Sequence, residues 1–102
     1  MKFRVLPEAE LEAAEAVIWY DEQCVGLGDE FMGELERALD RICGDPAGLP
    51  RLEAYNGQHD IRRSLLKRFP YLVIFVNRPD EAVIVAISHA RRRPFYWLNR
   101  LD

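Results

Sequence analysis

The sequence predicts an α+β fold in the order β-α-α-β-β-β. A two-helix hairpin packs on a mostly antiparallel four-stranded sheet, and a short C-terminal helix follows. Two observations lead to this prediction. The first half of the chain has helical periodicity after one short alternating segment, and the second half has short apolar runs joined by turns. A chain of 102 residues has room for one core, so residues 1–102 are assigned to a single domain.

The first two elements are a strand and a helix. Residues Lys2–Leu6 alternate charged and apolar side chains, as a half-buried strand does. Pro7 suits the first turn of a helix, which we expect to run to Gln23 because glycines follow soon after it. Three apolar residues at helical spacing are expected to face the core: Leu11, Ala14 and Ile18. Four further residues widen this stripe: Ala13, Ala16, Val17 and Tyr20.

A second helix is predicted over Asp29–Cys43, after the break at Gly26-Leu27-Gly28. Its apolar residues recur at helical spacing and should form a core-facing stripe: Phe31, Leu35, Ala38, Leu39 and Ile42. Gly44 and Pro46 provide a stop signal. The short connection implies that the two helices form an antiparallel hairpin.

The second half is predicted to be a loop over residues 45–58 and then three strands. The strands are placed at Asp60–Leu66, Tyr71–Val76 and Ala82–Ser88. Their short connections indicate an antiparallel meander. The last two strands are apolar on both faces, which is typical of central strands covered on both sides.

The net charge of −3 conceals an asymmetry along the chain. Residues 1–61 carry 5 Lys/Arg against 14 Asp/Glu, a net charge of −9. Residues 62–102 carry 9 against 3, a net charge of +6. The two halves can partly neutralise one another, but the run Arg91–Arg93 is too dense to be fully paired internally. A local positive surface is therefore expected near the C-terminus.

Several functional classes are disfavoured by the composition. His59 and His89 are the only histidines, so no multi-histidine metal centre is expected, and no cofactor is assigned. Cys24 and Cys43 lack metal-type spacing and are interpreted as reduced thiols of a cytoplasmic protein. No secretory signal is recognised, and no apolar run approaches the ~18 residues of a membrane span.

The order of the C-terminal motifs resembles the RelE/ParE superfamily of bacterial toxins from type II toxin–antitoxin systems, and the ParE branch most closely. The matching residues, in chain order, are Arg62-Arg63, Phe69-Pro70-Tyr71, two apolar strands, His89, Arg91–Arg93, Pro94, Tyr96 and Trp97. The resemblance covers essentially the whole chain. It implies that the first strand lies beside the last and that the helical hairpin crosses one face of the sheet.

The resemblance also implies a function. ParE-type toxins bind a cellular target, DNA gyrase in the studied members, and a cognate antitoxin neutralises them. We therefore expect a cytoplasmic toxin that forms a hetero-oligomer with its antitoxin and meets DNA only through that antitoxin. A third possibility is a non-toxic member that acts only in the operon-repressing complex.

The RelE branch provides the alternative function, a ribosome-dependent, metal-independent mRNA endoribonuclease. Its members use lysines on the strand that corresponds to Asp60–Leu66, an arginine after the next strand's tyrosine, a later arginine and a C-terminal tyrosine. Here Leu72 follows Tyr71, while Arg92 matches the later arginine and Tyr96 matches the tyrosine loosely. Arginine is a poor proton donor or base because it remains charged. No catalytic residue is therefore assigned.

The residues predicted to bind a target are basic or aromatic and lie in the second half of the chain: Arg62, Arg63, Lys67, Arg68, His89, Arg91, Arg92, Arg93, Tyr96 and Trp97. Arginine and tryptophan are enriched among interface anchors. Core packing is the alternative for Trp97, and a structural hydrogen bond is the alternative for His89. Arg62 and Arg63 are neighbours on a strand and must point to opposite faces, so one of them can pair with a carboxylate.

Overall fold

The computed structural model describes residues 2–101 and confirms the α+β fold and its element order. The strands and helices are β1 (Lys2–Val5), α1 (Pro7–Gln23), α2 (Leu27–Gly44), β2 (Ile61–Leu65), β3 (Tyr71–Asn77) and β4 (Glu81–His89). Two 3₁₀ helices, Pro46–Gly48 and Leu98–Arg100, lie in the loop after α2 and in the C-terminal segment. No helix within residues 2–101 is both long enough and apolar enough to span a membrane.

The sheet has the strand order β1-β4-β3-β2. β1 pairs with β4 in parallel, and the other two pairs are antiparallel, so the expected contact between the first and last strands is confirmed. The amide of Leu6 donates the final hydrogen bond of this pair to the Ile84 carbonyl, at 3.0 Å. β4 continues beyond that point to His89, next to a bulge that disturbs its register with β3.

Apolar side chains cover the sheet on both faces, as the two-sided apolar pattern of β3 and β4 predicts. One cluster lies between the helices and the sheet and includes Phe31, Val73 and Phe75. The other lies on the opposite face and includes Ile74 and Trp97. The second cluster is closed by the loop and by the C-terminal segment instead of by helices.

The predicted core face of α1 is wrong in its central stripe, whereas the residues that widen this stripe do face the core. Leu11 and Ile18 are 61% and 59% exposed, and Ala14 is also exposed. The helix buries Ala9 and the predicted Ala16, and the predicted Ala13, Val17 and Tyr20 pack partly buried against the core. Small residues on that face allow α1 to approach the sheet closely. The stripe of Leu11, Ala14 and Ile18 is left in solvent.

The break between the helices is shorter than predicted. α2 begins at Leu27, two residues before the expected start, and Gly28 lies inside it. The Asp21 carboxylate accepts hydrogen bonds from the amides of Gly26 and Gly28, each at 3.0 Å. Gly26 has a φ of 92°, a conformation that glycine adopts without strain. A single glycine with side-chain support is therefore enough to reverse the chain.

The other boundaries shift by one or two residues at most. β1 and β2 are shorter than predicted, while β3 and β4 are longer. The loop that precedes β2 lies along its outer edge: Leu52 donates to the Ile61 carbonyl at 2.9 Å, and Arg63 donates to the Pro50 carbonyl at 3.1 Å. These bonds hold the loop against the sheet.

Candidate partner-binding surface

The end of β4 positions the arginine run. The Ala90 amide donates to the Pro70 carbonyl at 2.7 Å, and the Arg92 amide donates to the His89 carbonyl at 3.0 Å. The Arg91 amide donates to Nδ1 of His89 at 3.0 Å, so this ring nitrogen is an acceptor. The His89 ring therefore supports the backbone of the turn that carries the arginines.

The three arginines form an exposed cationic surface. Arg91, Arg92 and Arg93 are all exposed, and no ion pair joins any of them to a carboxylate within residues 2–101. The Arg92 guanidinium lies 4.0 Å from the centre of the Tyr96 ring, which orients its side chain. The prediction of a local positive surface agrees with this geometry.

Tyr96 belongs to a partly buried network that the sequence did not reveal. Its hydroxyl donates to Oε2 of Glu12. The Arg100 guanidinium donates to both oxygens of the same carboxylate, at 2.9 and 3.2 Å. Arg100 also donates to the Val85 carbonyl at 3.0 Å, and the Ile87 amide donates to Glu12 at 3.0 Å. Glu12 and Arg100 thus bind the edge of β4 beyond the end of β1.

The network determines the chemistry available to Tyr96. Burial, followed by the hydrogen bond to the Glu12 carboxylate, raises the pKa of Tyr96 to about 12. The hydroxyl is therefore neutral at pH 7 and its proton is already donated to a carboxylate. A general acid or base needs a pKa near the working pH, which this environment does not provide.

Trp97 lies beneath the surface rather than on it. The residue is 2% exposed, and its ring lies 5.9 Å from the Phe95 ring and 6.3 Å from the Tyr55 ring. In this position Trp97 supports the segment that carries the arginines. The sequence alternative of core packing describes its environment.

Arg62 and Arg63 lie on opposite faces of the sheet, as neighbours on a strand must. The Arg62 side chain is 13% exposed and pairs with Asp60 at 3.1 Å. It also donates to the carbonyls of Ala47 and Leu49, at 2.8 and 2.6 Å, and so holds the loop after α2. Arg63 pairs in register with Ile74 and therefore shares the face that carries Trp97.

Asp60 holds Arg62 in the position from which it binds the loop after α2. Burial alone would raise its pKa, but hydrogen bonds from Asn77 and Arg62 outweigh that effect and hold the pKa below its usual range. The carboxylate therefore remains charged and paired at neutral pH.

Lys67 and Arg68 lie in the turn between β2 and β3. Because Tyr71 is in register with His89, this turn lies at the same end of the sheet as the arginine run. Lys67 is exposed, whereas Arg68 pairs with Glu30 of α2. Of these two cations, Lys67 has the freer side chain.

Trp19 is a further surface residue that the sequence analysis missed. It is 55% exposed and, with Tyr71, His89 and Arg92, borders a recess between α1 and the end of the sheet. The sequence did contain a signal for Trp19. Tyr20 was predicted to face the core, and the preceding residue on a helix points in a different direction, so Trp19 could be expected at the surface. Glu12 offered no such signal, because its partners lie more than 70 residues away.

Comparisons with known proteins support the fold. No protein-family model matches this sequence. No curated protein matches it either. The chain is similar to a solved structure described as the chromosomal ParDE TA system from P. aeruginosa, with a TM-score of 0.66 and 15% sequence identity over 89% of this chain and 97% of that chain. The chain therefore shares the fold of a chain in that structure.

Proposed function

We propose that this chain is the toxin of a type II toxin–antitoxin system and inhibits growth by binding a cellular target. The shared fold with a chain of a ParDE TA system supports this proposal. The observation that carries it is the exposed run Arg91–Arg93, which follows the central strand β4 and has no carboxylate partner within residues 2–101. Such a surface suits an anionic partner.

Three features favour binding over RNA cleavage. The Tyr96 hydroxyl is held by Glu12 and has a pKa of about 12. Leu72 stands where the RelE branch has an arginine. Arg62 is occupied by Asp60 and two carbonyls. Cleavage without a metal needs a positioned acid and base as well as cations, and these side chains do not provide them. The target that the ParE resemblance favours is DNA gyrase.

The neutralising partner is proposed to bind the exposed face of α1. Leu11 and Ile18 leave an apolar stripe in solvent, and the helix carries six acidic residues and no basic one. A second copy of this helix would be repelled by those carboxylates. The stripe instead suits an amphipathic antitoxin segment flanked by lysine or arginine, which orders on binding. DNA binding would belong to the antitoxin.

Co-purification tests this complex. The product of the adjacent gene, expressed with this chain, should elute with it. The interface should bury on the order of 2,000 Å² or more of accessible surface, as interfaces of permanent complexes do. Separate elution of the two proteins at micromolar concentration would contradict the antitoxin proposal.

Growth arrest tests the toxic surface. Induced expression of the wild type without its partner should stop growth. The triple variant Arg91→Ala/Arg92→Ala/Arg93→Ala should lose most of this effect at matched soluble expression, because exposed charges contribute little to stability. The comparison variant is Lys67→Ala/Arg68→Ala. Arrest that survives in the triple variant but not in the comparison variant would move the toxic surface to the β2–β3 turn.

Two assays separate the alternatives. Primer extension on translating ribosomes should show no codon-phased cuts, and such cuts would support the ribonuclease function instead. A DNA supercoiling assay with gyrase should show inhibition by the wild type. A chain that neither arrests growth nor inhibits gyrase, yet represses its operon with the antitoxin, would be the non-toxic member of the complex.

A further inference from the structure

An apolar pocket of about 330 Å³ lies on the sheet face opposite the helices, directly beside the arginine run. Its walls are contributed by the loop before β2, by β3 and by the C-terminal segment: Leu52, Ala54, Leu72, Ile74, Phe95 and Trp97. Arg92 and Arg93 lie at its rim. We call this feature the β3 pocket.

The β3 pocket is built into the fold. Its floor is formed by Leu72 and Ile74 of the central strand β3, and the buried Trp97 forms one of its walls. Two other wall residues, Ala54 and Phe95, have φ values of 67° and 61°, which residues other than glycine rarely adopt. Strained backbone of this kind persists where the surrounding structure enforces it, and it is concentrated at functional sites. The fold therefore holds the walls of the pocket in place.

The charge around the β3 pocket is mainly positive. Arg92 and Arg93 line it, and Arg63 lies on the same sheet face. Glu53 is the one acidic residue among those that line it. An apolar pocket beside exposed guanidinium groups, which have no carboxylate partner among the described residues, suits a ligand that combines an apolar group with negative charge.

We propose that the β3 pocket receives a leucine or phenylalanine side chain from an extended, acidic segment of a partner protein, while carboxylates of that segment pair with Arg92 and Arg93. Interface energy concentrates where an anchor side chain fills a desolvated pocket, and arginine–carboxylate pairs add orientation. The inference rests on the proposed function only for the identity of the protein that carries the segment.

A nucleic acid fits the β3 pocket less well. Phosphates could pair with the arginines, but a base inserted against Leu72 and Ile74 would bury its polar edge against aliphatic walls. Base stacking requires an accessible aromatic face, and Trp97 is buried. The apolar walls therefore favour a peptide anchor.

The test is an NMR titration of the isotope-labelled full chain with acetyl-Glu-Asp-Leu-Phe-Asp-Glu-amide. Saturable shifts are expected at Leu72, Ile74 and the Trp97 indole. A peptide with Ser-Ser in place of Leu-Phe, and one with lysines in place of the acidic residues, should each bind about tenfold more weakly or worse, a loss of about 1.4 kcal/mol. Equal binding of all three peptides would overturn the proposal.

Two substitutions locate the site. Ala90 is exposed and lines the pocket, and its contact with Pro70 uses only the backbone, so Ala90→Trp should fill the mouth without disturbing the turn. We expect this variant to bind the acidic peptide about tenfold more weakly. Wild-type affinity in a variant with a native-like amide spectrum would overturn the pocket assignment.

Charge reversal provides a matched pair. Arg93 lines the pocket, whereas Arg91 is also exposed but does not line it. Arg93→Glu should weaken the peptide about tenfold, and Arg91→Glu should weaken it only about twofold. Equal losses in both variants would show general charge attraction and would overturn a specific site.

Other occupants are outcomes of the same titration. An oligouridylate that shifts the pocket resonances when the peptide does not would replace the peptide with RNA. A dimer of the free chain that Ala90→Trp dissociates would replace it with a second copy. Growth arrest without peptide binding would overturn this inference and leave the proposed function standing. Peptide binding without growth arrest would do the reverse.

Discussion

Glu12 joins three parts of the chain that are distant in sequence. Its carboxylate accepts from Tyr96, from Arg100 and from the Ile87 amide, so it connects α1 to β4 and to the C-terminal segment. The side chains of Glu12 and Arg100 are only 11% and 14% exposed. Breaking a buried pair leaves an uncompensated charge, which costs more than the pair itself contributes.

Glu12→Ala should lower the free energy of unfolding by about 1–3 kcal/mol, since it leaves the partly buried Arg100 without its carboxylate. Glu15→Ala is the matched control, because Glu15 is an exposed glutamate on the same helix. That control should stay within about 0.5 kcal/mol of the wild type. Urea unfolding of the three purified proteins measures the difference. Equal stabilities of the two variants would show that the network contributes nothing.

Tyr96 gives a pH dependence with a definite sign. Its pKa is about 12 in the fold and ordinarily about 10, so the unfolded chain loses this proton first as the pH rises. Stability should therefore fall between about pH 10 and about pH 12. Tyr96→Phe should lack this part of the fall. Burial also raises the pKa values of Tyr20 and Tyr71. The wild type and Tyr96→Phe both retain these two tyrosines, so their contribution cancels in the comparison. Parallel melting temperatures of the two proteins across this range would contradict the prediction.

At the scale of elements, the helical hairpin depends on one close contact. Gly28 is buried where α2 meets α1, and a Cβ at this position would lie 2.6 Å from the Val17 carbonyl oxygen. The backbone of α1 cannot yield to it without a shift of the helices. Gly44, at the end of α2, has no heavy atom within 4 Å of the corresponding position.

Gly28→Ala should destabilise the chain by about 1–3 kcal/mol, which is the usual cost of overpacking. Gly44→Ala should be neutral or stabilising by up to about 1 kcal/mol, because it restricts the unfolded chain without a clash. The melting temperatures of both variants, compared with the wild type, separate the steric effect of the added methyl group from its effect on the entropy of the unfolded chain. A Gly28→Ala protein as stable as the Gly44→Ala protein would mean that the helices can separate freely.

The order of elements could be predicted from the sequence because long apolar runs and turn formers mark the strands. The buried face of α1 could not, because this helix has two apolar faces. Two faces of this helix have the apolar spacing of a core face: the stripe Leu11–Ala14–Ile18, which is exposed, and the alanine face, which is buried. Which face turns inward depends on residues far away in sequence, such as the partners of Glu12. Core packing of Trp97 was one of the two interpretations that its sequence context allowed, and the exposure of Arg91–Arg93 followed from charge density alone.

At the scale of the whole molecule, the two proposed partners bind different surfaces. The apolar stripe of α1 is proposed for the antitoxin, and the arginine run for the cellular target. A protein that separates these surfaces can be altered at one while the other keeps its function.

Leu11→Gln/Ile18→Gln should therefore still arrest growth, but co-expressed antitoxin should no longer relieve the arrest. Both side chains are more than half exposed, so the free energy of unfolding should change by less than about 0.5 kcal/mol per substitution. The control is the triple arginine variant, which should keep antitoxin binding in a pull-down. Full relief of the double variant by the antitoxin would place the neutralising interface elsewhere.

The Glu12–Arg100 pair also affects how the chain behaves at high concentration. β4 extends past the end of β1, and a strand edge with unpaired backbone groups is a template on which other chains stack into fibrils. Here the Ile87 amide and the Val85 carbonyl are already occupied by side chains of the same molecule. A neighbouring molecule cannot pair with those groups, so this edge resists fibril growth even when no other protein covers it.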